Sequence, residues 1–189
     1  MRRLYVGLDS STQSLTAIAI EVDGDSARIV GENSLAFDEA LPQYGTRHGV
    51  LPSDDPAIAL SSPPMWADAL DLMFDRLAHS GLDLSPLAAV SGSAQQHGSI
   101  YFAHDTIRRL AALDPRRPPG AQIAPLLSRP TAPIWMDTSS TAQCNEISAG
   151  VGGGDALAQR TGSRAFERFT GPQIRKFAQT EPDAYQRTG

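Results

Sequence analysis

The chain has 189 residues, of which 41% are hydrophobic and 20% are charged. This length argues against several full domains and this composition excludes a wholly disordered chain, so we expect one globular domain. The formal net charge is −5 and lysine and arginine form no dense stripe, which argues against a nucleic-acid partner.

Three segments near the start of the chain predict short strands. Leu4–Leu8 is apolar and ends at Asp9, Leu15–Val22 is again apolar, and Ala27–Phe37 follows the polar turn 23–25. Short apolar segments separated by tight polar turns are typical of an antiparallel meander.

The middle of the chain predicts a helix between strands. A loop rich in proline, glycine and aspartate covers Leu41–Pro64, and Met65–Leu77 then carries apolar residues at helical spacing. Leu87–Val90 and Ile100–Phe102 predict two further short strands. Strands followed by a helix and more strands predict an α/β domain.

The remaining part of the chain begins with a proline-rich segment, Asp114–Pro133, which predicts a surface loop or insertion. Ile134–Trp135 predicts a strand and Thr138–Ala149 a helix. A further helix is predicted at Asp155–Arg160, and Phe166–Gln179 is expected to be partly helical.

The single cysteine, Cys144, rules out an intramolecular disulfide and favours a reducing compartment. Arg2 and Arg3 precede an apolar run, as in a signal peptide, but Asp9 ends that run too early. No stretch of the sequence has the length needed to cross a bilayer. We therefore expect a soluble, cytoplasmic protein without a membrane partner.

The first candidate site is the segment from Gly7 to Gln13. A strand that ends on Asp9 and continues into a hydroxyl-rich turn can direct the carboxylate to a metal, while Ser11 and Thr12 face phosphate oxygens. The glycine spacing and the lysine of a Walker loop are missing. An ordinary hairpin turn accounts for the same composition, because Asp and Ser side chains bond the local backbone.

The second candidate site is the segment 92–99. The amides of Gln95 and Gln96 and the imidazole of His97 offer donors and acceptors suited to a polyhydroxylated ligand. Gly98 permits close approach of the backbone. Taken alone, a histidine in a loop is more often a structural hydrogen-bonding group than a catalyst.

Two later segments admit similar alternatives. The indole of Trp135 either packs on a sugar or fills the core, and Asp137 either accepts from a hydroxyl or caps a helix. Arg168 lies among aromatic residues between two glycines, where a solvated ion-paired turn is the alternative. No single segment decides the function.

In their order and spacing these segments resemble the FGGY carbohydrate kinases, and most closely the animal-type xylulokinase branch. The matching segments cover nearly the whole chain: Gly7–Gln13, Leu41–Thr46, Ser91–Tyr101, Trp135–Asp137, Thr141–Cys144 and Thr161–Gly171. The resemblance implies an α/β fold, namely an actin-like ATPase (ribonuclease H-like) domain over residues 1–189. It would be the first of two domains in such a sugar kinase.

The resemblance also implies cofactors and roles at the first site. ATP and Mg²⁺ would be the cofactors, and the γ-phosphoryl group would pass to O5 of D-xylulose or a related ketose. Asp9 would organise the metal, directly or through water. Ser11, Thr12 and Gln13 would lie near the phosphates.

On the sugar side, the resemblance implies that Gln96, His97 and Arg168 contact the ketose. Trp135 and Asp137 would shape the same pocket. These are groups that orient and screen, because positioning and charge neutralisation do most of the work in phosphoryl transfer.

The resemblance does not extend to the second domain of the family. That domain carries the aspartate that deprotonates the sugar hydroxyl, a further phosphate loop and the adenosine pocket, and nothing before Gly189 matches them. The resemblance thus implies a missing carboxy-terminal domain as partner and leaves open whether the first domain is complete. We expect no appreciable turnover from these 189 residues alone.

Two other classes of function stay open. One is a non-catalytic sugar-binding or regulatory module that keeps the ketose pocket. The other is a hydrolase with Ser93 or Cys144 as nucleophile and His97 as base, although the Gly-x-Ser-x-Gly elbow is absent.

Overall fold

Strands and helices follow one another along residues 2–189, which the computed structural model describes. The strands among these residues are β1 (Arg3–Ser10), β2 (Ser14–Asp23), β3 (Ser26–Ala36), β4 (Leu60–Ser61), β5 (Leu87–Ala94) and β6 (Ala132–Pro133). The helices are α1 (Phe37–Ala40), α2 (Pro63–His79), α3 (Thr106–Leu110), α4 (Pro119–Ile123), α5 (Thr141–Gly150), α6 (Gly154–Thr161), α7 (Thr170–Thr180) and α8 (Pro182–Gln186). Short 3₁₀ helices lie at Pro42–Tyr44 and Ala124–Leu126.

The chain divides into two compact units. The first unit comprises the chain up to Val50, Pro64–Gln95 and Asp114–Gln122. The second unit comprises Leu51–Pro63, Gln96–Leu113 and Ile123–Gly189. Each unit contains its own sheet.

The first unit is built on a four-stranded sheet in the order β3-β2-β1-β5. β1 pairs with β2 and β2 pairs with β3 in antiparallel fashion, so the predicted meander is confirmed. β5 adds to the other side of β1 in parallel. Along β1, Leu4 and Val6 are buried while Gly7 and Asp9 are exposed, because successive side chains of a strand point to opposite faces.

Helix α2 provides the other half of the core of the first unit, and the helix predicted at Met65–Leu77 is confirmed with a slightly wider range. Met65, Ala69, Met73 and Leu77 recur every four residues and are at most 1% exposed. This spacing puts all four on one face of the helix, which packs against the buried side chains of the sheet.

Asp68 anchors Asp114–Gln122, the first part of the proline-rich segment, within the first unit. Its carboxylate accepts hydrogen bonds from the Tyr44 hydroxyl at 2.6 Å and from the backbone N–H of Gly120 at 2.6 Å. A Cβ atom at Gly120 would lie 2.5 Å from an oxygen of the Asp68 carboxylate, so any larger residue there would displace this carboxylate. The segment predicted as a surface loop or insertion thus includes an anchored helix, α4, and the buried Leu126.

The second unit has a small sheet and an aromatic core. β4 pairs with β6, and the Ile134 N–H donates to the Ala59 carbonyl at 3.0 Å beyond the pair. The strand predicted at Ile134–Trp135 thus lies two residues earlier. Phe177 is 1% exposed and its ring lies 4.5 Å from that of Tyr101.

The predicted strand at Ile100–Phe102 is wrong. Phe102 forms only an isolated bridge with Leu127. Pro125 and Pro130 flank that bridge and lack the N–H groups that a longer ladder would need.

The helix predicted from Thr138 begins three residues later, at Thr141. In the preceding turn, the Asp137 carboxylate accepts a hydrogen bond from the backbone N–H of Ser139 at 3.1 Å. Such local bonds offer the backbone an alternative to the helix.

Candidate functional site

The turn between β1 and β2 carries the first group of predicted site residues. It is closed by a hydrogen bond from the Ser11 N–H to the Ser14 carbonyl at 2.9 Å. The Ser11 hydroxyl accepts from the Ser14 N–H at 3.2 Å. This is the local bonding expected of a hairpin turn, so the chain itself holds the turn in a fixed shape.

Asp9 lies just before this turn, on the exposed face of the sheet. Thr16 of β2 is its partner on one side and Ser93 of β5 on the other. The Ser93 hydroxyl donates a hydrogen bond to the Asp9 carboxylate. These residues line an open pocket of about 360 Å³, together with others that include Gly7 and Ile18.

The Asp9 carboxylate suits a cation that takes few protein ligands. The described residues 2–189 include no group of three or more His, Cys, Asp or Glu side chains that could hold a metal. Mg²⁺ needs no such group, because it is usually bound by one or two carboxylates together with waters and substrate phosphates. The donor set around Asp9 therefore fits Mg²⁺ that arrives with a phosphate ligand.

Thr12 and Gln13 are held from several sides within the first unit. The Thr12 hydroxyl donates to the side-chain carbonyl of Gln95 at 3.2 Å. The carbonyl of Gln13 accepts from the Phe37 N–H at 2.9 Å. Gly49 packs so closely on Thr12 that a Cβ atom there would lie 1.8 Å from the Thr12 carbonyl oxygen.

His97 belongs to the second unit and has an unusual backbone. Its φ of 60° is in the left-handed region, which is uncommon for residues other than glycine. The imidazole stacks on Phe169, with ring centroids 5.0 Å apart, and Phe169 meets Phe166 edge-on at 5.3 Å. These contacts link His97 to the segment that carries Arg168, while the neighbouring Gln96 is exposed.

The segment before Arg168 is held by hydrogen bonds to its backbone. The carbonyl of Glu167 accepts from the Ser140 hydroxyl at 2.7 Å and from the Gln173 side-chain amide at 2.9 Å. Arg168 itself is exposed. Its guanidinium is thus an exposed cation that can donate hydrogen bonds to an anion or a hydroxyl.

Asp137 is 1% exposed and its carboxylate is surrounded by protein donors. It accepts from the Gln173 amide at 2.8 Å and from the Ala59 N–H at 3.0 Å, in addition to Ser139. Trp135, two residues earlier, is 43% exposed. Asp137 therefore holds the turn that presents the indole.

The hydrolase alternative finds no support in these contacts. The hydroxyl of Ser93 is bonded to a carboxylate and not to an imidazole. Burial, and then the charge of Glu167, raises the pKa of the Cys144 thiol. A raised pKa keeps this thiol protonated, whereas a nucleophilic cysteine needs the thiolate.

Several contacts of the candidate residues do not follow from the sequence. The sequence indicates Ser93 only as a possible nucleophile, because its pairing with Asp9 depends on the parallel register of β1 and β5. Gly49 gives no signal beyond its residue type. The aromatic residues around Arg168 are the signal that could have indicated Phe169.

No helix among residues 2–189 combines the length and the apolar composition needed to cross a membrane. No family model matches the chain. The chain is 42% identical over 184 residues to the xylulose kinase of Mus musculus, which covers 97% of the chain and 33% of that protein. The chain thus spans about a third of the length of the curated relatives it matches.

Solved structures show the same fold. The chain matches the xylulose kinase from Bifidobacterium adolescentis with a TM-score of 0.65 and 18% identity, over 99% of the chain and 31% of that structure. It matches the gluconate kinase from Lactobacillus acidophilus with a TM-score of 0.70 and 15% identity, over 100% of the chain and 30% of that structure. The expected α/β fold is confirmed, because it is the fold of these two sugar kinases over about a third of their length.

Proposed function

We propose that this chain, a homologue of the xylulose kinases among the FGGY-type sugar kinases, takes part in transfer of the γ-phosphoryl group of ATP to O5 of D-xylulose. The observation that carries the proposal is the 42% identity to mouse xylulose kinase along 97% of the chain. The product would be D-xylulose 5-phosphate. Because the chain spans a third of such relatives, its share of the work is the binding and positioning described next.

The turn of the first unit would hold the phosphate side of the reaction. Ser11, Thr12 and Gln13 lie in a turn that its own hydrogen bonds hold in shape, and the polar groups that remain at its surface would meet phosphate oxygens. Asp9, at the exposed edge of this turn, would hold Mg²⁺ directly or through water. Bound Mg²⁺ would neutralise charge on the phosphates, and the Ser93 hydroxyl would keep one Asp9 oxygen oriented.

Residues of the second unit would hold the ketose. Gln96 and Arg168 are exposed and carry polar groups that can bond sugar hydroxyls. His97 is held by Phe169, so its ring nitrogens would meet the ligand in a fixed orientation. Trp135 would pack on the sugar.

The role of Asp137 would be indirect. Its buried carboxylate receives its hydrogen bonds from the protein, so it would shape the pocket through the turn that carries Trp135. We assign no described residue of this chain to removal of the proton from the sugar hydroxyl. We therefore still expect these 189 residues alone to show no appreciable turnover.

A segment-replacement chimera tests the proposal. In this chimera the chain replaces the matched 184-residue segment of mouse xylulose kinase, and ADP release is measured with D-xylulose, D-ribulose and glycerol. We expect release that depends on D-xylulose and that falls at least about a hundredfold in Asp9→Asn, as for loss of a metal-organising group in phosphoryl transfer.

A matched pair of histidine variants serves as the internal control of the chimera. We expect His97→Ala to raise the KM for D-xylulose, whereas His79→Ala, an exposed histidine of α2, leaves it unchanged. A folded chimera that turns over glycerol but not D-xylulose would contradict the proposed substrate. If the chimera does not fold, a nuclear magnetic resonance titration of the 189-residue chain with D-xylulose replaces it, and unperturbed Gln96 and His97 signals would count against the proposal.

A further inference from the structure

The loop that follows α1 is folded around one carboxylate, that of Asp38. One of its oxygens accepts from the Thr46 hydroxyl at 2.7 Å and from the Gly49 N–H at 3.1 Å, and the other accepts from the His48 N–H at 2.5 Å. Although burial acts to raise it, these hydrogen bonds hold the pKa of Asp38 below its ordinary value. The side chain is therefore an ionised carboxylate that holds the loop 46–49 by hydrogen bonds.

The loop around Asp38 contacts the turn that carries Thr12 and Gln13, and it does so through Gly49. Gly49 has a φ of 76°, and a Cβ atom at this position would lie 1.8 Å from the Thr12 carbonyl oxygen and 2.9 Å from the Thr12 carbonyl carbon. The two backbones thus meet with no room for a side chain. Asp38 determines where Gly49 lies, because it accepts a hydrogen bond from the N–H of Gly49 itself.

The residue before Asp38 makes a second contact with the same turn. The Phe37 N–H donates to the Gln13 carbonyl at 2.9 Å, and the Phe37 side chain is fully buried in the core. Residues 37–38 therefore hold Thr12 and Gln13 at two successive peptide groups, one directly and one through Gly49. The hydrogen bond from Thr12 to Gln95 fixes the turn from the residue that follows β5.

We propose that Asp38 is a positioning residue for phosphate binding, which acts through Gly49 to hold the Thr12–Gln13 turn in the shape that receives ATP. This inference rests on the proposed function of the turn. Phosphoryl transfer depends on the placement of the phosphates, so a small displacement of a binding group lowers the rate or the affinity. Asp38 would act on the phosphates only indirectly, through Gly49 and the turn. It is therefore a positioning residue and not a catalytic residue.

The test compares Asp38→Asn with Glu39→Gln in the segment-replacement chimera. Both variants remove one negative charge from neighbouring residues, and Glu39 is exposed. We expect Asp38→Asn to raise the KM for ATP about tenfold with a change of less than about twofold in the KM for D-xylulose, because only the phosphate side loses its support. Glu39→Gln should leave both constants at the wild-type values.

A second variant disturbs the turn without changing the charge of the protein. Gly49→Ala should reproduce the selective rise in the KM for ATP, since the added Cβ must displace the Thr12 carbonyl. In the 189-residue chain, both Asp38→Asn and Gly49→Ala should shift the amide resonances of Thr12, Gln13 and Ser14 while circular dichroism stays unchanged. A merely structural role would instead lower stability and leave the ratio of the two KM values unaltered.

The outcomes separate the two proposals. An active wild-type chimera whose KM for ATP is unaffected by Asp38→Asn overturns the inference and leaves the proposed function standing. A folded wild-type chimera without xylulose-dependent activity overturns the proposed function and with it the link to phosphate binding, and the resonance measurement on the 189-residue chain then decides whether Asp38 still has its positioning role. Unshifted Thr12 and Gln13 amides in Asp38→Asn overturn it.

Discussion

The hydroxyl of Ser93 donates a hydrogen bond to the carboxylate of Asp9 across the parallel pair of β1 and β5. The two residues are 84 positions apart in the chain. One oxygen of Asp9 is oriented by this contact, which leaves the rest of the carboxylate facing the open pocket on the exposed side of the sheet.

Removal of this hydroxyl should weaken catalysis and not fold stability. In the chimera, we expect Ser93→Ala to lower kcat about fivefold, because a hydrogen bond to an exposed carboxylate contributes on the order of 1 kcal/mol. Ser91→Ala removes a hydroxyl from the same face of β5, opposite Gly7, and should leave kcat unchanged. Equal effects of the two variants would contradict an orienting role for Ser93.

Gln173 supports the second unit from within. Its amide donates to the Asp137 carboxylate and to the Glu167 carbonyl, and the side chain is 3% exposed. We expect Gln173→Ala to lower the free energy of unfolding by about 2–3 kcal/mol, because it leaves a buried carboxylate short of a donor. Urea unfolding of the 189-residue chain measures the loss.

An exposed glutamine provides the control for Gln173. Gln159 lies on the surface of α6, and Gln159→Ala should stay within about 0.5 kcal/mol of the wild type. The finding that both variants unfold at the same urea concentration would refute the supporting role.

Two variants of His97 separate the contribution of its ring from the contribution of its left-handed backbone. We expect His97→Gly to be more stable than His97→Ala by about 1 kcal/mol, since glycine adopts a φ of 60° without steric cost. Both variants lose the stack on Phe169 and should show the same rise in the KM for D-xylulose. A more stable alanine variant would show that the backbone relaxes when the ring is removed.

Tyr44 makes stability depend on alkaline pH. Burial, and then the hydrogen bond to Asp68 and its charge, raises the pKa of Tyr44 above its ordinary value. A group whose pKa is raised by folding contributes stability that is complete below the ordinary tyrosine pKa of about 10 and is lost as the pH rises further. Tyr44→Phe should thus be less stable than the wild type by about 1 kcal/mol at pH 8.

The difference in the free energy of unfolding between wild type and Tyr44→Phe should shrink between pH 10 and pH 11. Urea unfolding at several pH values measures this difference. A constant Tyr44→Phe difference over this range would contradict the raised pKa.

Local sequence patterns predict much of the first unit. The apolar strands at the start of the chain, the polar turn after Asp9 and the apolar face of α2 follow from alternation and helical spacing, which depend on neighbouring residues alone. The predicted strand at Ile100–Phe102 is wrong because a three-residue apolar run does not reveal whether it has a partner. The order of the four motifs carries the family resemblance, since each motif alone has an ordinary structural explanation.

The sequence by itself determined the α/β class, the candidate residues from Asp9 to Arg168 and the family they resemble. The tertiary structure alone decided which side chains meet: Ser93 with Asp9, Gly49 with Thr12, and Phe169 with His97. It also showed that Asp137 is satisfied by protein donors. The physical reason is that these contacts join residues far apart in the chain, whose meeting depends on strand register and packing, and no local pattern encodes them.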